Sequence, residues 1–273
     1  MNRYTWRTGL AEAGMIVAGL VFVAPIYVLI NVALKPADDR TGPLTPTTRP
    51  TLDNFVEAVT GANLLNALVN TAAIATISLV VIIAASSLAG YAIARLTSAW
   101  SRVANLLFLL GLLLPFQLAT VPLYQFMLAA GLLGSIWGLV LFYSALLMPL
   151  AVFLYVNFIR ALPSEYEEAA EIDGANRVQS FFLVVFPMMR AVTGTIVILN
   201  AINIWNDFFT PRLYLSGSGT QTITVALYTY VGQYGSQWPL IFGGLIMASI
   251  PILVLFFLLQ RFVIQGFAGG LKG

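Results

Sequence analysis

The 273-residue sequence predicts an all-α polytopic membrane protein with six transmembrane helices. Hydrophobic residues make up 59% of the chain and charged residues only 9%, whereas soluble domains carry roughly 25% charged residues. Uncharged runs long enough for a span recur along the chain, and the run at residues 103–159 has room for two. Because backbone polar groups in lipid must be hydrogen-bonded within the segment, we predict that these spans are helices.

The first span is longer than a typical signal-peptide core and has no A-x-A-like cleavage site after it, so we expect it to be retained. Pro115 and Pro122 interrupt the third apolar run. There we expect a kink or break, followed by a short helix at the outer membrane surface. The predicted spans are Gly9–Leu34, Val69–Ala94, Val103–Val121, Ser135–Phe158, Ala191–Thr210 and Leu240–Gln260.

The distribution of Lys and Arg predicts that both termini are cytoplasmic. With the N-terminus inside, the inner segments hold nine of these residues and the outer segments hold four. Four prolines in "KPADDRTGPLTPTTRP" predict that the first outer loop begins as an extended connector. The predicted organisation is a cytoplasmic N-terminus (1–8), the first span (9–34), an extracytoplasmic loop (35–68), a five-span core (69–260) and a cytoplasmic tail (261–273).

The composition excludes several kinds of chemistry. The chain has no Cys and no His, so we predict no thiolate metal site and no His-based catalysis, and we assign no catalytic or metal-ligating residue. A net charge of +2 without a basic cluster gives no support for nucleic-acid binding. The only lysines, Lys35 and Lys272, do not fit the phosphate-binding pattern G-x-x-x-x-G-K-[ST], so we expect no bound ATP or other cofactor.

The acidic residues are concentrated in one short stretch. Five of the eleven lie between Glu165 and Asp173. Ser164 and Glu167 have the S-x-x-E spacing of a capping box, which predicts a helix start. The dipeptide Asp173–Gly174 predicts a turn, because Gly tolerates positive φ.

A second helix is predicted from near Asn176 to Pro187, which gives a helix–turn–helix along the cytoplasmic face. Its carboxylates could pair with a basic groove, and the aromatic residues Tyr166, Phe181 and Phe182 could anchor a partner. The alternative is an acidic amphipathic loop that stays solvated.

This stretch resembles the EAA loop of ABC importer permeases. Glu168-Ala169-Ala170, then Gly174, then Val184-x-Phe186-Pro187 reproduce the spacing, with Phe186 where Leu is usual. "EIDGA" at residues 171–175 resembles the carbohydrate-importer version. "TLDNF" at residues 51–55, "WND" at residues 205–207 and the ending "QGFAGGLKG" are also similar, with Gly270 where Ala is usual. The resemblance extends over nearly the whole chain, to the second, six-span permease of maltose-type systems.

The resemblance implies a type I ABC importer permease fold, in which the EAA loop (residues 160–189) docks on a cytoplasmic ATPase. It implies these partners: a second permease forming a heterodimer, two ATPase subunits that bind ATP and Mg²⁺, an extracytoplasmic solute-binding protein, a sugar substrate and membrane lipid. The expected location is a prokaryotic plasma (inner) membrane. The implied coupling residues are Glu167, Glu168, Ala169, Ala170, Asp173, Gly174, Ala175 and Pro187.

A polar stripe in the fifth span is the candidate substrate path. Asn200, Asn203 and Asp207 are spaced i, i+3, i+7 and so are predicted to share one helix face, with Asn206 near its edge. Gln117 and Tyr124 are further candidates near the outer end of the path. Alternatively, the Asn side chains hydrogen-bond between helices and Asp207 caps the helix.

Three competing functions remain open at this stage. A permease of the same superfamily could carry a non-sugar solute, although "EIDGA" and the "GGLKG" tail favour a sugar. A secondary transporter would work without an ATPase, and its intramembrane charge is expected to be richer than here. A membrane-embedded enzyme is disfavoured by the absence of His and Cys.

Overall fold

The computed structural model describes residues 6–231 and 237–269, so residues 1–5 of the predicted N-terminus and residues 270–273 of the tail lie outside the described residues. The described chain is helical and contains no β-strand, which confirms the predicted all-α class. The α-helices are α1 Trp6–Ala33, α2 Asp53–Gly61, α3 Leu64–Arg95, α4 Ala99–Leu113, α5 Thr120–Ala129, α6 Ile136–Ala161, α7 Glu165–Ile172, α8 Arg177–Ser180, α9 Phe186–Met188, α10 Arg190–Asn206, α11 Phe209–Tyr214, α12 Ile223–Leu227 and α13 Trp238–Gly269.

Within the described residues, four helices are long and apolar enough to cross a membrane: α1, α3, α6 and α13. Two bent helix pairs pass the same test as single broken spans, which brings the number to as many as six. The first pair joins α4 to the segment that ends with α5 and bends by 91°, and the second joins the segment α8–α9 to α10 and bends by 70°.

The expected break in the third span is present, and one of the two prolines causes it. Pro115 follows the end of α4 and adopts an extended conformation before a 3₁₀ turn at Phe116–Ala119. Pro122, in contrast, lies in the first turn of α5. A first-turn proline loses no intrahelical hydrogen bond, so the expectation that Pro122 also breaks the helix is wrong.

The chain forms two compact units, one of Met1–Asn66 with Ala226–Ile250 and the other of Ala67–Val225 with Pro251–Gly273. In the first unit, residues 31–54 form a hydrogen-bonded structure that we call the Lys35 segment. The Asn31 side chain donates to the carbonyls of Pro43 (2.8 Å) and Thr45 (2.9 Å). The Asn54 amide donates to the carbonyls of Ala33 (2.8 Å) and Lys35 (2.7 Å). The expectation of an extended connector is therefore wrong, because side-chain amides fold the segment back on itself.

In the second unit, α3, α6 and α10 share two buried clusters. One contains Ile74, Tyr143 and Ile204, and the other contains Ile82, Tyr155 and Ile196, together with Phe181, Val185 and Met189 from the EAA loop. Apolar burial therefore holds the second half of the EAA loop against the spans.

Candidate functional site

The start of α7 differs from the predicted capping box. Ser164 has helical backbone angles (φ −69°, ψ −19°) and makes no side-chain cap. Its hydroxyl instead donates to Glu168 Oε1 at 3.0 Å. An N-cap side chain reaches the backbone of the first turn only from an extended conformation. The predicted reciprocal pair of Ser164 and Glu167 is therefore wrong, although the helix begins where it was expected.

The predicted turn after α7 is present and depends on Gly174. Its φ is +90°, in the region that disfavours side chains. The Ala175 amide donates to the Ala170 carbonyl at 2.9 Å, and the Gly174 amide donates to the Glu171 carbonyl at 3.0 Å. These two bonds form a complete Schellman motif with Gly174 at the C′ position. The turn thus fixes the direction in which the chain leaves α7.

The second half of the EAA loop begins at Asn176, as predicted, with a capping box that the sequence reasoning missed. The Asn176 side chain accepts from the Gln179 amide, and the Gln179 side chain accepts from the Asn176 amide, each at 2.9 Å. The signal was the N-x-x-Q spacing. The helix then widens into a π-helical turn at Phe181–Val185 and continues past Pro187, which lies at the start of α9. Single π turns are frequent at functional sites.

Most of the implied coupling residues are accessible. Glu168, Ala169, Asp173, Gly174 and Pro187 are exposed, and Ala170 and Ala175 are half-buried. Large apolar side chains of the same loop are exposed beside them: Ile172, Val178, Phe182 and Leu183. The EAA loop therefore presents a surface of mixed acidic and apolar character.

Two residues of the loop point inward instead. Phe181 is buried and its ring centroid lies 5.0 Å from that of Tyr91, so its expected role as a partner anchor is wrong. The Glu167 carboxylate accepts from Arg95 Nε at 2.8 Å, and its Oε1 lies 2.7 Å from Arg95 Nη2. Its Oε2 accepts from the Tyr91 hydroxyl at 2.9 Å. Glu167 therefore faces α3, whereas the expectation placed it with the ATPase contacts.

Sequence reasoning missed Tyr91 and Arg95. The available signal was that Arg95 is the first charge after the uncharged run of residues 58–94, with Tyr91 one helical turn earlier. Side chains four residues apart on a helix lie on the same face.

The candidate substrate-path residues of the fifth span differ in their exposure. Asn200 is buried, and its side-chain atoms have no hydrogen-bond partner among the described residues. Asn203 and Asn206 are exposed, and each amide donates to the carbonyl four residues earlier, at 2.8 and 2.9 Å. The predicted single polar face is therefore not found.

Asp207 lies outside the helix, because α10 ends at Asn206 and Asp207 is extended (φ −70°, ψ 125°). Its carboxylate accepts from the Tyr143 hydroxyl at 3.0 Å and from the Thr210 amide at 3.2 Å. These bonds connect α6 to the start of α11. Asp207 is the C-cap residue of α10, as the alternative interpretation expected, but its carboxylate bonds to the start of α11 and not to α10.

The two outer candidates lie in different surroundings. Gln117 is exposed in the 3₁₀ turn at Phe116–Ala119. Tyr124 is half-buried and packs against Tyr214, with ring centroids 6.3 Å apart. In the part of the chain that the structure describes, no group of three or more Asp, Glu, His or Cys residues could hold a metal ion.

Residues 82–268 match the family described as "binding-protein-dependent transport system inner membrane component". The chain belongs to this family. It is the membrane-embedded permease component of an ABC importer, which is not itself the catalytic subunit.

Similar proteins include a melibiose/raffinose/stachyose import permease of Bacillus subtilis, 34% identical over 90% of each chain. A probable permease for starch degradation products from Thermoanaerobacterium thermosulfurigenes is 31% identical over 93% of each chain. The structure of a bacterial ABC transporter that imports the acidic polysaccharide alginate superposes with a TM-score of 0.84, covering 96% of this chain and 99% of that one at 18% identity. This likeness confirms the predicted importer permease fold.

Proposed function

We propose that this chain is one of two permease subunits of an ATP-driven sugar importer, and that its EAA loop docks on a cytoplasmic ATPase. In this proposal the partner ATPase binds ATP and Mg²⁺, and an extracytoplasmic binding protein delivers the sugar. Both termini are then cytoplasmic. The observation that carries the proposal is the acidic and apolar surface of α7, α8 and the π-helical turn. The hydrogen-bonded turn at Gly174 joins the two halves of this surface.

The chemistry of this surface suits a protein partner. Ile172 is 86% exposed and Leu183 is 73% exposed, and such side chains favour burial in an interface. The exposed carboxylates Glu168 and Asp173 would meet basic groups in the partner groove. Positive and negative patches of this kind fix the register of an interface more than they increase its affinity.

The first span offers an apolar surface to lipid or to a second permease. The most apolar window of α1 has no residue buried inside the chain. A helix that is apolar all round lies in lipid or against another protein. We therefore propose that α1 contacts lipid or the second permease of a heterodimer.

The sugar assignment is supported by the relatives, which are named as permeases for melibiose, raffinose, stachyose and starch degradation products. Among the path candidates, Asn203 and Asn206 are exposed and Asn200 is buried without a partner among the described residues. Amide groups donate and accept hydrogen bonds and so suit sugar hydroxyls. We propose that Asn200, Asn203, Asn206, Asp207, Gln117 and Tyr124 border the solute path, with Asp207 acting mainly through its contacts to Tyr143 and Thr210.

The test is to purify the tagged chain with the products of its neighbouring genes and to reconstitute the complex in liposomes. ATP hydrolysis is measured with the binding protein and a panel of oligosaccharides, sugar–glycerol conjugates and amino acids. We expect a second permease and an ATPase to co-purify, and one sugar-loaded binding protein to stimulate hydrolysis.

Stimulation by an amino acid alone would contradict the sugar assignment but leave the ATPase coupling intact. A chain that purifies alone and moves solute down an ion gradient would contradict the coupling itself. A matched comparison uses Glu168→Gln and Glu57→Gln, because Glu57 is an exposed acid on α2, outside the EAA loop. Only Glu168→Gln should weaken retention of the ATPase.

A further inference from the structure

Glu167 differs from the other acids of α7 in its surroundings. Its side chain is 14% exposed and that of its partner Arg95 is 22% exposed, whereas Glu165, Glu168, Glu171 and Asp173 are exposed. A partly buried ion pair loses water on both sides, so removing one partner leaves a charge that is poorly compensated. Glu167 is therefore poorly placed for a direct contact with another protein and well placed for a contact within this chain.

Arg95 makes a second connection. It is the last residue of α3, and its Nη2 donates to the Leu162 carbonyl at 3.1 Å. Leu162 caps the C-terminus of α6, where unpaired carbonyls carry partial negative charge. The planar guanidinium can satisfy a carboxylate and a carbonyl at the same time. One side chain thus joins the ends of α3 and α6 to the first turn of α7.

Tyr91 connects Glu167 to the buried cluster that contains Phe181. Its hydroxyl donates to Glu167 Oε2, and its ring packs against Phe181, which is 2% exposed. We call Tyr91, Arg95, Glu167 and the Leu162 carbonyl the arginine clamp. The clamp connects α7 to the last turn of α3. Phe181, in the second half of the EAA loop, packs against Tyr91 of that same turn. Both halves of the EAA loop therefore contact one span.

We propose that Glu167 is a positioning residue: the arginine clamp makes α7 move together with α3 and α6, so that ATPase movement reaches the spans. This inference rests on the proposed docking of the EAA loop on an ATPase. Glu168 and the apolar surface provide the docking, and Glu167 transmits the displacement. Without the clamp, α7 stays docked but moves independently of the spans.

The experiment uses the complete reconstituted transporter and measures ATP hydrolysis, solute uptake and solute moved per ATP. For Glu167→Gln we expect the ATPase to remain bound and hydrolysis to continue, while solute moved per ATP falls about tenfold, a typical size for coupling between sites. The matched control is Glu165→Gln, which removes an exposed acid from the same helical turn and should leave the ratio unchanged.

A second substitution that restores the ion pair distinguishes a role of Glu167 in transmitting movement from a role in docking the ATPase. The double substitution Arg95→Glu with Glu167→Arg restores the ion pair in reverse but not the bond to the Leu162 carbonyl, so we expect it to recover part of the lost ratio. If Glu167→Gln lowers the yield of folded complex, the double substitution should recover the yield together with the ratio. A change on α3 has no reason to repair a lost contact with the ATPase.

Three results would overturn the inference: release of the ATPase by Glu167→Gln, an unchanged ratio in that variant, or no recovery in the double substitution. Release of the ATPase would make Glu167 a docking residue and leave the proposed function standing. A complex without any ATPase in the unsubstituted transporter would instead overturn the proposed function. The two failures are thus separable.

Discussion

The Lys35 segment and the EAA loop both carry charged residues between helices, but they differ in whether those charges are buried or exposed. Lys35 is 3% exposed, and its ammonium donates to the Thr41 hydroxyl and to the carbonyls of Thr41 (3.2 Å) and Gly42 (2.8 Å). In the EAA loop, four of the five acids of residues 165–173 are exposed. The first segment satisfies the charge of Lys35 internally, and the second leaves most of its acidic side chains accessible to a partner. Substitutions should therefore affect stability in the first and coupling in the second.

The largest effect is expected from Gly174→Val. A β-branched residue at φ +90° costs about 1–3 kcal/mol of backbone strain, and the turn can relieve it only by breaking the Schellman bonds. We expect normal insertion into the membrane. Uptake should fall below about one tenth of that of the unsubstituted chain, because about 1.4 kcal/mol corresponds to a tenfold change in an equilibrium constant. Uptake of labelled solute by membrane vesicles measures this, with the amount of inserted chain determined by immunoblot.

The control is Gly131→Val, at φ +67° in the turn after α5. A Cβ at either glycine meets nothing within 4 Å among the described residues, so both variants test backbone strain alone. Equal loss of uptake in both would show that strain anywhere in the chain is sufficient, and the special role of the EAA turn would be lost.

A smaller effect, on stability, is expected from Lys35→Met. The substitution keeps most of the side-chain volume but leaves the Thr41 and Gly42 carbonyls without their charged donor. Hydrogen bonds to charged groups contribute about 1.5–3 kcal/mol each. Met also removes the cost of burying an ammonium, so we expect a net loss of about 2 kcal/mol. A lower midpoint of thermal unfolding in detergent should report it. Arg40→Met, at an exposed position of the same segment, should change the midpoint little, and equal shifts would refute the distinction.

The smallest effect concerns pH. The Thr41 hydroxyl and amide donate to Asp39 at 2.6 and 2.8 Å and hold the pKa of this carboxyl below its ordinary value. A carboxyl with a lowered pKa adds stability above its unfolded-state pKa and loses it as the pH falls through the folded-state pKa. We expect Thr41→Val to reduce the drop in thermal midpoint between neutral and acidic pH. Thr60→Val, whose hydroxyl bonds only to carbonyls of its own helix, should keep the full drop.

Features with local causes could be predicted from the sequence. Apolar run length predicted the long apolar helices, Pro115 located the break after α4, and Gly174 located the turn after α7. Each of these depends on a property of one residue or one continuous segment. The same reasoning gave the helix–turn–helix of the EAA loop.

Features with distant causes could not be predicted. Glu167 and Glu168 are neighbours with equal chemistry, and the difference between them comes from Arg95, 72 residues before Glu167. The S-x-x-E pattern at Ser164 predicted a cap that the helical backbone of Ser164 prevents. Lys35 follows an apolar run and precedes four prolines, a position typical of a solvated residue. Its side chain is nevertheless buried, and its ammonium donates to carbonyls six and seven residues later. Side-chain contacts decided the cases of Glu167 and Lys35.

The π-helical turn at Phe181–Val185 has a consequence for how this loop tolerates changes in length. In a π turn the amide of Phe186 donates to the carbonyl of Phe181, five residues earlier, so one more residue fits than in an α-helix. Deleting Val184 would convert the turn to α-helix and keep Phe181 and Met189 in their buried positions. The turn therefore marks a place where this chain could lose one residue while both flanking helices stay in register.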